Sequence, residues 1–235
     1  MKINRPLIRG RFVRRYKRFF ADIELESGDI LTVHCPNSGS MKGCAIEGAW
    51  AWVSDSENPK RKLRHTLEII EHNDEKICVN TQRPNSLVEE AVLNGVIEEL
   101  KGYENIKREV RYGDENSRID LLLSTDNSTC YVEVKNVTLP GENGLVRFPD
   151  SVTSRGTKHL RELMTMVKDG HRSVLVFCIA RTGATEFEPA ADIDPIYANT
   201  LIEAHKTGVE VIAYRLEIDL PTLELKTRIP VYLDR

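Results

Sequence analysis

The sequence predicts a two-domain protein of mixed α and β structure (α/β, or α+β), with a small β-barrel or sandwich followed by a mixed-sheet domain. Its 235 residues, 40% of them hydrophobic, are enough for two packed cores. Short β-like runs separated by turn residues fill the first third of the chain. After the Pro-containing turn at residues 83–85, helical and strand patterns alternate. We therefore place the domains at residues 1–82 and 83–235.

The N-terminal domain is predicted from six β-like runs with turn signals such as Ser-Gly and Asn-Pro between them. Several short strands at close spacing are typical of a barrel or a sandwich. The predicted strands cover residues 12–16, 21–25, 30–35, 49–53, 67–70 and 76–80. Trp50 and Trp52 would share one strand face, and we interpret them as core residues rather than as a base-stacking platform.

Residues 1–20 carry eight basic side chains and no acidic one, although the net charge of the whole chain is −3. Aromatic residues interleave with these cations, as in small barrels of the OB type that bind nucleic acid. The alternative is a solvated edge strand that charge protects from aggregation. We expect phosphate contacts from this segment. The polar loop at 34–43 lacks P-loop spacing, and it could either bind backbone phosphate or be a plain connection between strands. The predicted phosphate ligands are Arg11, Arg14, Arg15, Lys17, Arg18 and Lys42.

The second domain begins with a predicted helix at 86–101, capped by Asn85 or Ser86. Its apolar residues are distributed nearly all the way round the helical wheel, so we expect this helix to be buried between the two domains. The remaining predicted elements are strands at 106–112, 118–123 and 130–137, a loop to residue 150, a helix at 151–169, a strand at 173–180, a helix at 191–207 and a strand at 209–217.

Two acidic residues and a lysine in this domain predict a catalytic site. Glu133 and Lys135 share a strand face because strand side chains alternate, and Asp120 lies at the start of the neighbouring strand. Mg²⁺ binds through one or two carboxylates together with substrate phosphate oxygens. The carboxylates would hold an ion that polarises the phosphate, and Lys135 would neutralise developing charge. The alternative is an ion pair on a solvated sheet face.

Further residues could complete this site. A third carboxylate is available from the preceding helix, where the wheel does not choose between Glu89 and Glu90, or from Glu109. The helix at 151–169 has Arg155, Lys158 and His159 near one another, and they suit phosphate contact or the metal pocket. The alternative for this helix is a solvated basic edge with a half-buried histidine.

Several motifs together resemble the sugar fermentation stimulation protein family (SfsA) over essentially the whole chain. They are HCPNSGSM from residue 34, YKRF from 16, SRID from 117, YVEVK from 131, and RGxKHLREL from 155. The resemblance implies an OB-like N-terminal barrel, a PD-(D/E)xK nuclease-like second domain, sequence-nonspecific DNA binding and a link to the regulation of sugar metabolism. By position, Asp120, Glu133 and Lys135 match the nuclease motif, and Glu90 matches its helix acid. Ile119 replaces the motif's proline.

These observations leave three hypotheses about function. The first is a DNA-binding protein that retains a phosphodiesterase site dependent on Mg²⁺ or Mn²⁺, with Glu90, Asp120 and Glu133 as metal ligands. The second is DNA binding on a nuclease-like fold without catalysis, and the third is an RNA-processing nuclease. Double-stranded DNA is the favoured partner, and a dimer is compatible with the sequence. Five scattered cysteines and the lack of a signal peptide or membrane segment predict a cytoplasmic protein with reduced thiols.

Overall fold

The first six strands close into a small barrel in the computed structural model, which describes residues 1–234. The sheet order is β3-β2-β1-β4-β5-β6, and a parallel bridge between His34 and Thr66 joins β3 to β5. Alternate side chains such as Phe12, Ile23 and Val53 fill the interior. The strands are β1 Leu7–Tyr16, β2 Phe20–Glu24, β3 Ile30–His34, β4 Trp50–Asp55, β5 His65–His72 and β6 Glu75–Cys78.

The basic strand β1 lies inside this sheet, between β2 and β4. The edge-strand alternative for the cationic segment is therefore wrong. The strand is also longer than expected, because its first residues, Leu7 to Arg11, pair with β4 and only its later part pairs with β2. The basic side chains of β1 point out of the barrel and its apolar side chains point into the core, so the strand can pair with a neighbour on each side.

A six-stranded mixed sheet forms the second half of the molecule, in the order β15-β14-β12-β9-β8-β7. The central strand β12 is parallel to both β9 and β14, and the other pairs are antiparallel. Helix α1 packs on one face, and α2 and α3 pack on the other. The elements are α1 Pro84–Leu93, β7 Asn105–Tyr112, β8 Ser117–Ser124, β9 Thr129–Val137, α2 Ser154–Lys168, β12 Arg172–Ile179, α3 Pro195–Thr207, β14 Glu210–Asp219 and β15 Thr222–Ile229.

The segment expected to be a loop before α2 contains two short strands, so that expectation is wrong. β10 (Leu139–Pro140) pairs with β11 (Leu145–Phe148), which in turn pairs in parallel with β13 (Glu186–Pro189). Their Pro- and Gly-containing sequence carries no strand pattern, and the pairing partner of β11 lies about forty residues later. Strand β15 was also not predicted.

Helix α1 is shorter than predicted and ends at Leu93. Gly95 follows with a φ of 67°, a left-handed conformation that suits glycine and turns the chain away. Asn85 and Ser86 do not cap the helix, since Arg83 occupies the N-cap position without a side-chain hydrogen bond. The buried side of α1 nevertheless lies where expected, because its apolar residues contact both the barrel residue Ile69 and the mixed sheet.

Backbone hydrogen bonds join the two halves directly. The N–H of Cys78 in β6 donates to the carbonyl of Ala180 at 2.8 Å, and the N–H of Thr182 donates to the carbonyl of Lys76 at 3.0 Å. Ile3 packs in the same core as Ile69 and the sheet. No helix among residues 1–234 has the length and apolar character that a membrane crossing needs.

A second contact positions α2 over the sheet. The buried carboxylate of Glu162 accepts hydrogen bonds from the backbone N–H groups of Asp114 and Glu115, in the turn between β7 and β8. Gly113 leaves the space for it, because a Cβ there would lie 1.4 Å from Glu162 Oε2. With a φ of 68°, Gly113 also has a backbone conformation that other residues rarely adopt. These hydrogen bonds fix the position of α2 relative to the β7–β8 turn.

Candidate active site

Asp120 lies where β8 separates from β9. The two strands pair from Leu121 with Val132 onwards. One residue earlier, the side-chain carboxylate of Asp120, rather than a backbone carbonyl, accepts a hydrogen bond from β9. Its Oδ2 accepts the backbone N–H of Val134 at 2.7 Å, and its Oδ1 accepts the side-chain amide of Asn85 at 2.7 Å. The first turn of α1 and the middle of β9 therefore fix this carboxylate.

Glu133 and Lys135 lie on the same face of β9, as the alternation of strand side chains predicts. Lys135 Nζ donates to Glu133 Oε1 at 2.7 Å. The Glu133 residue is only 2% exposed, and its second oxygen, Oε2, is buried without a hydrogen-bond partner among the described residues. A buried carboxylate oxygen that no protein group satisfies marks a place where a cation or water belongs.

His159 reaches this pair from α2. Its Nδ1 donates to Glu133 Oε1, because an ionised carboxylate can only accept. Its Nε2 accepts from Arg155 Nε at 3.4 Å, so contacts at both ring nitrogens fix the orientation of the imidazole. His159 is buried and orients Glu133 rather than facing solvent. The structure places His159 against Glu133, and its part in a metal pocket stays a prediction.

The electrostatics of the two carboxylates differ. Burial, and next the charge of Glu133, raise the pKa of Asp120 from 3.8 to about 6. Burial also acts against ionisation of Glu133, but Lys135 and His159 outweigh it and lower the pKa of that carboxyl. Two carboxylates whose ionised forms repel each other, one of them with a buried oxygen that has no partner among the described residues, fit a divalent cation. Asp120 and Glu133 are the residues that would hold it.

The structure does not bring Glu90 to this pair. Its carboxylate binds the N-terminal amine of Met1 at 2.5 Å, and the helical repeat places it about 140° around α1 from Asn85. Glu89 lies on the Asn85 side of the helix, where it pairs with Arg108. Among residues 1–234, no group of three or more His, Cys, Asp or Glu side chains has the geometry of a metal site. The geometry thus offers two carboxylates where the sequence predicted three.

The remaining cations predicted on α2 divide into two kinds. Lys158 donates to the backbone carbonyl of Glu115 and helps to fix the β7–β8 turn. Arg155 is exposed except for its contact with His159, so its guanidinium borders the site and stays available to an anion.

The cations predicted on the barrel lie on its outer surface, at some distance along the chain from this site. Arg14 pairs with Asp22, while Arg15 and Arg18 donate to carbonyls of the loop at 37–38. Lys17 and Arg18 form the exposed β1–β2 turn, and Lys42 is exposed in the loop after β3. These side chains leave N–H groups directed to solvent.

The interpretation of Trp50 and Trp52 as core residues is wrong for the barrel interior, although Trp52 packs against the core between the barrel and the mixed sheet. Both are half-buried on the outer face of β4, opposite the inward-facing Ala51 and Val53. The guanidinium groups of Arg9 and Arg11 stack on the Trp50 ring at 3.6 and 3.4 Å from its centroid. The period-two pattern identified the shared face correctly, but the strand sequence does not show which face is the interior.

One residue of the site was not identified from the sequence in its actual role. Asn85 was predicted to cap α1, whereas its amide holds Asp120. An asparagine directly after the Arg83-Pro84 turn is a favourable N-cap residue for the helix that follows, and the local sequence supports no other role. Only the packing of α1 against β8 brings it to the carboxylate.

Two family profiles match this chain. The profile described as "SfsA N-terminal OB domain" matches residues 13–79, and that described as "Sugar fermentation stimulation protein RE domain" matches residues 82–222. The chain belongs to the sugar fermentation stimulation protein family. The resemblance noted from the motifs is therefore confirmed, and so is the predicted fold class, an OB domain followed by a nuclease-like mixed-sheet domain.

Relatives of similar length extend this result. A sugar fermentation stimulation protein homolog from Marinomonas sp. is 52% identical over 235 residues, which is 99% of this chain and 91% of the relative. A homolog from Teredinibacter turnerae is 53% identical and covers 97% of this chain and 98% of its own. The structure of Pyrococcus furiosus SfsA in complex with Ca²⁺ has 27% sequence identity and a TM-score of 0.87, covering 99% of this chain and 98% of that one.

Proposed function

We propose that this protein binds DNA without sequence specificity and cleaves it with a phosphodiesterase site that depends on Mg²⁺ or Mn²⁺. The observation that carries the proposal is the convergence of Asp120, Glu133 and Lys135, with one Glu133 oxygen left buried and unpartnered. The Ca²⁺ complex of the Pyrococcus furiosus relative supports a divalent-ion site in this family. Mg²⁺ in such a site would supply Lewis-acid polarisation of the phosphate.

The protein's own residues would divide the remaining work. Lys135 places an ammonium beside the carboxylates, where it would neutralise the negative charge that develops on the phosphoryl oxygens during attack. His159 acts as a positioning residue, because its hydrogen bond keeps Glu133 in one rotamer. Exposed cations on the barrel turn and on α2 suit contacts to backbone phosphates, which fix a duplex without reading its sequence.

A specific observation favours a second candidate, DNA binding without catalysis. Lys135 and His159 already satisfy Glu133 Oε1, and no three-ligand metal cluster exists within residues 1–234. Such a network would also serve as a buried ion pair in a fold that has lost turnover. The two candidates differ in whether added metal produces broken strands.

The deciding experiment is the nicking of supercoiled plasmid with Mg²⁺ or Mn²⁺. We expect wild type and the matched control Glu224→Gln, an exposed carboxylate on β15, to nick the plasmid equally. Asp120→Ala and Glu133→Ala should lose nicking but keep their affinity for labelled duplex DNA in EDTA. Intact plasmid with wild type across metals and pH values, alongside normal DNA binding, would establish the non-catalytic candidate instead. Parallel single-stranded DNA and RNA substrates test the nuclease for its preferred polymer.

A further inference from the structure

A separate cavity of about 560 Å³ lies between the N-terminal segment, the open end of the barrel and the start of α1. It has the size of an ordinary small-molecule site. Its lining includes four cations: Lys2 and Arg5 from the N-terminal segment, Arg61 from the β4–β5 loop, and Arg83 before α1. None of these residues belongs to the carboxylate site around Asp120.

The charge of this cavity is strongly positive. Its only carboxylate, Glu68, is 1% exposed and fully engaged by Arg83, Ser54 and Asn80 at 2.7 to 3.0 Å. Arg83 and Glu68 therefore neutralise each other. Lys2, Arg5 and Arg61 are exposed cations that line the cavity and have no ion-pair partner among residues 1–234, so no carboxylate compensates their charges.

Hydrogen-bonding groups accompany these cations. His34 at the end of β3, Thr66 of β5 and Gln82 before α1 line the same space. Partial burial, and next the charge of Arg61, lower the pKa of His34. Cations that surround a concave polar space without an internal counter-charge are suited to a multiply charged oxyanion.

An apolar cavity adjoins this one. It has a volume of about 540 Å³, shares Lys2 and Arg5 with the basic cavity, and adds the side chains of Leu7, Trp52 and Leu220. Trp52 is half-buried there, with its Nε1 held by Glu71 at 2.9 Å. An aromatic ring beside a basic cavity provides both groups that recognise a nucleotide, a stacking surface for the base and cations for the phosphate.

We propose that the basic cavity is a second binding site, distinct from the metal site, for a phosphate ester of nucleotide size. Arg5 and Arg61 bind the phosphate, and the base lies towards Trp52. The shared chemistry is a nucleoside monophosphate, either free or at the 5′ end of a nucleic acid strand. Arg83 acts only as a wall, because its guanidinium is committed to Glu68.

The test measures binding of AMP and of a 5′-phosphorylated dinucleotide by calorimetry and by Trp fluorescence. It is done in EDTA and in the Asp120→Asn background, so that neither metal nor cleavage contributes. Arg5→Gln combined with Arg61→Gln should raise the dissociation constant at least about tenfold, since two charge-assisted contacts are lost. The matched control is Lys60→Gln with Lys62→Gln, which removes two exposed charges from the same loop. It should change the constant less than about twofold.

The two ligands distinguish the sources of the phosphate. Tighter binding of AMP indicates a free nucleotide, and tighter binding of the dinucleotide indicates a strand end; either result supports the site. Adenosine without phosphate should not bind measurably. No binding of either phosphate ligand to the parent, or equal loss in the Arg5/Arg61 and Lys60/Lys62 variants, would overturn the proposal. These outcomes do not depend on plasmid nicking, so the metal site can fail while this site stands.

Discussion

Asp120→Asn should stabilise the metal-free protein at neutral pH while removing its response to metal. The raised pKa means that ionised Asp120 is less favourable in the folded state than in the unfolded state. The difference between 3.8 and about 6 corresponds to at most about 3 kcal/mol above pH 6. Asparagine keeps the shape, its oxygen can still accept the Val134 N–H, and its NH2 can donate to Asn85 once the Asn85 amide turns its oxygen inwards. We therefore expect a gain of about 1–3 kcal/mol at pH 8.

The sign follows from proton binding. Between pH 4 and pH 6 the folded state holds the Asp120 proton more than the unfolded state does, so wild-type stability falls as the pH rises through this window. The advantage of the variant should therefore be about half as large at pH 5 as at pH 8. Urea unfolding in EDTA at several pH values measures it, with the exposed Asp219→Asn as the control.

The response to metal is measured on the same three proteins, as the change in melting temperature on adding a divalent cation. Mg²⁺ or Mn²⁺ should raise the melting temperature of wild type and of Asp219→Asn, because a ligand that binds only the folded state stabilises it. It should not raise that of Asp120→Asn. An Asp120→Asn protein that is less stable than wild type at pH 8, or whose advantage does not vary with pH, would refute the electrostatic account of this site.

Three further perturbations test other parts of the structure. Arg83→Met should cost about 3–5 kcal/mol in urea unfolding, because it leaves the buried Glu68 without its cation; a loss below about 1 kcal/mol would contradict this. Gly113→Ala should cost at least about 2 kcal/mol and lower the melting temperature, since both φ and the neighbouring carboxylate exclude a Cβ; unchanged melting would show that the turn adapts. Arg14→Ala with Arg15→Ala should weaken duplex binding equally for all sequences and reduce the salt slope of log K. Unchanged affinity in fluorescence anisotropy would exclude the barrel turn from the DNA path.

The parts of the fold that the sequence predicts are those set by local periodicity. The run from Tyr131 to Lys135 alternates as a strand must, so the common face of Glu133 and Lys135 followed directly. Apolar residues on all sides of α1 likewise predicted that the helix is buried between the barrel and the sheet. Charge and aromatic content identified the outward-facing cations of β1 but not the central place of that strand.

The parts that escaped prediction depend on contacts distant in sequence. β11 exists because it pairs with β13, and no property of its four residues predicts that partner. Asn85 satisfies a local capping rule and is recruited by Asp120 instead. Glu90 and Glu89 are equivalent in a helical wheel until the positions of Met1 and Arg108 are known. Tertiary contacts, rather than local preference, decide each of these cases.

The hydrogen bonds between β6 and the segment after β12 tie the barrel to the mixed sheet through the backbone itself. Domains linked only by a flexible connector change their mutual orientation freely, whereas this pairing holds the barrel and the mixed sheet in one relative orientation. A polymer seated on the barrel would meet the carboxylates at an unvarying offset. A strand break made there would fall at a constant number of nucleotides from the edge of the protected footprint.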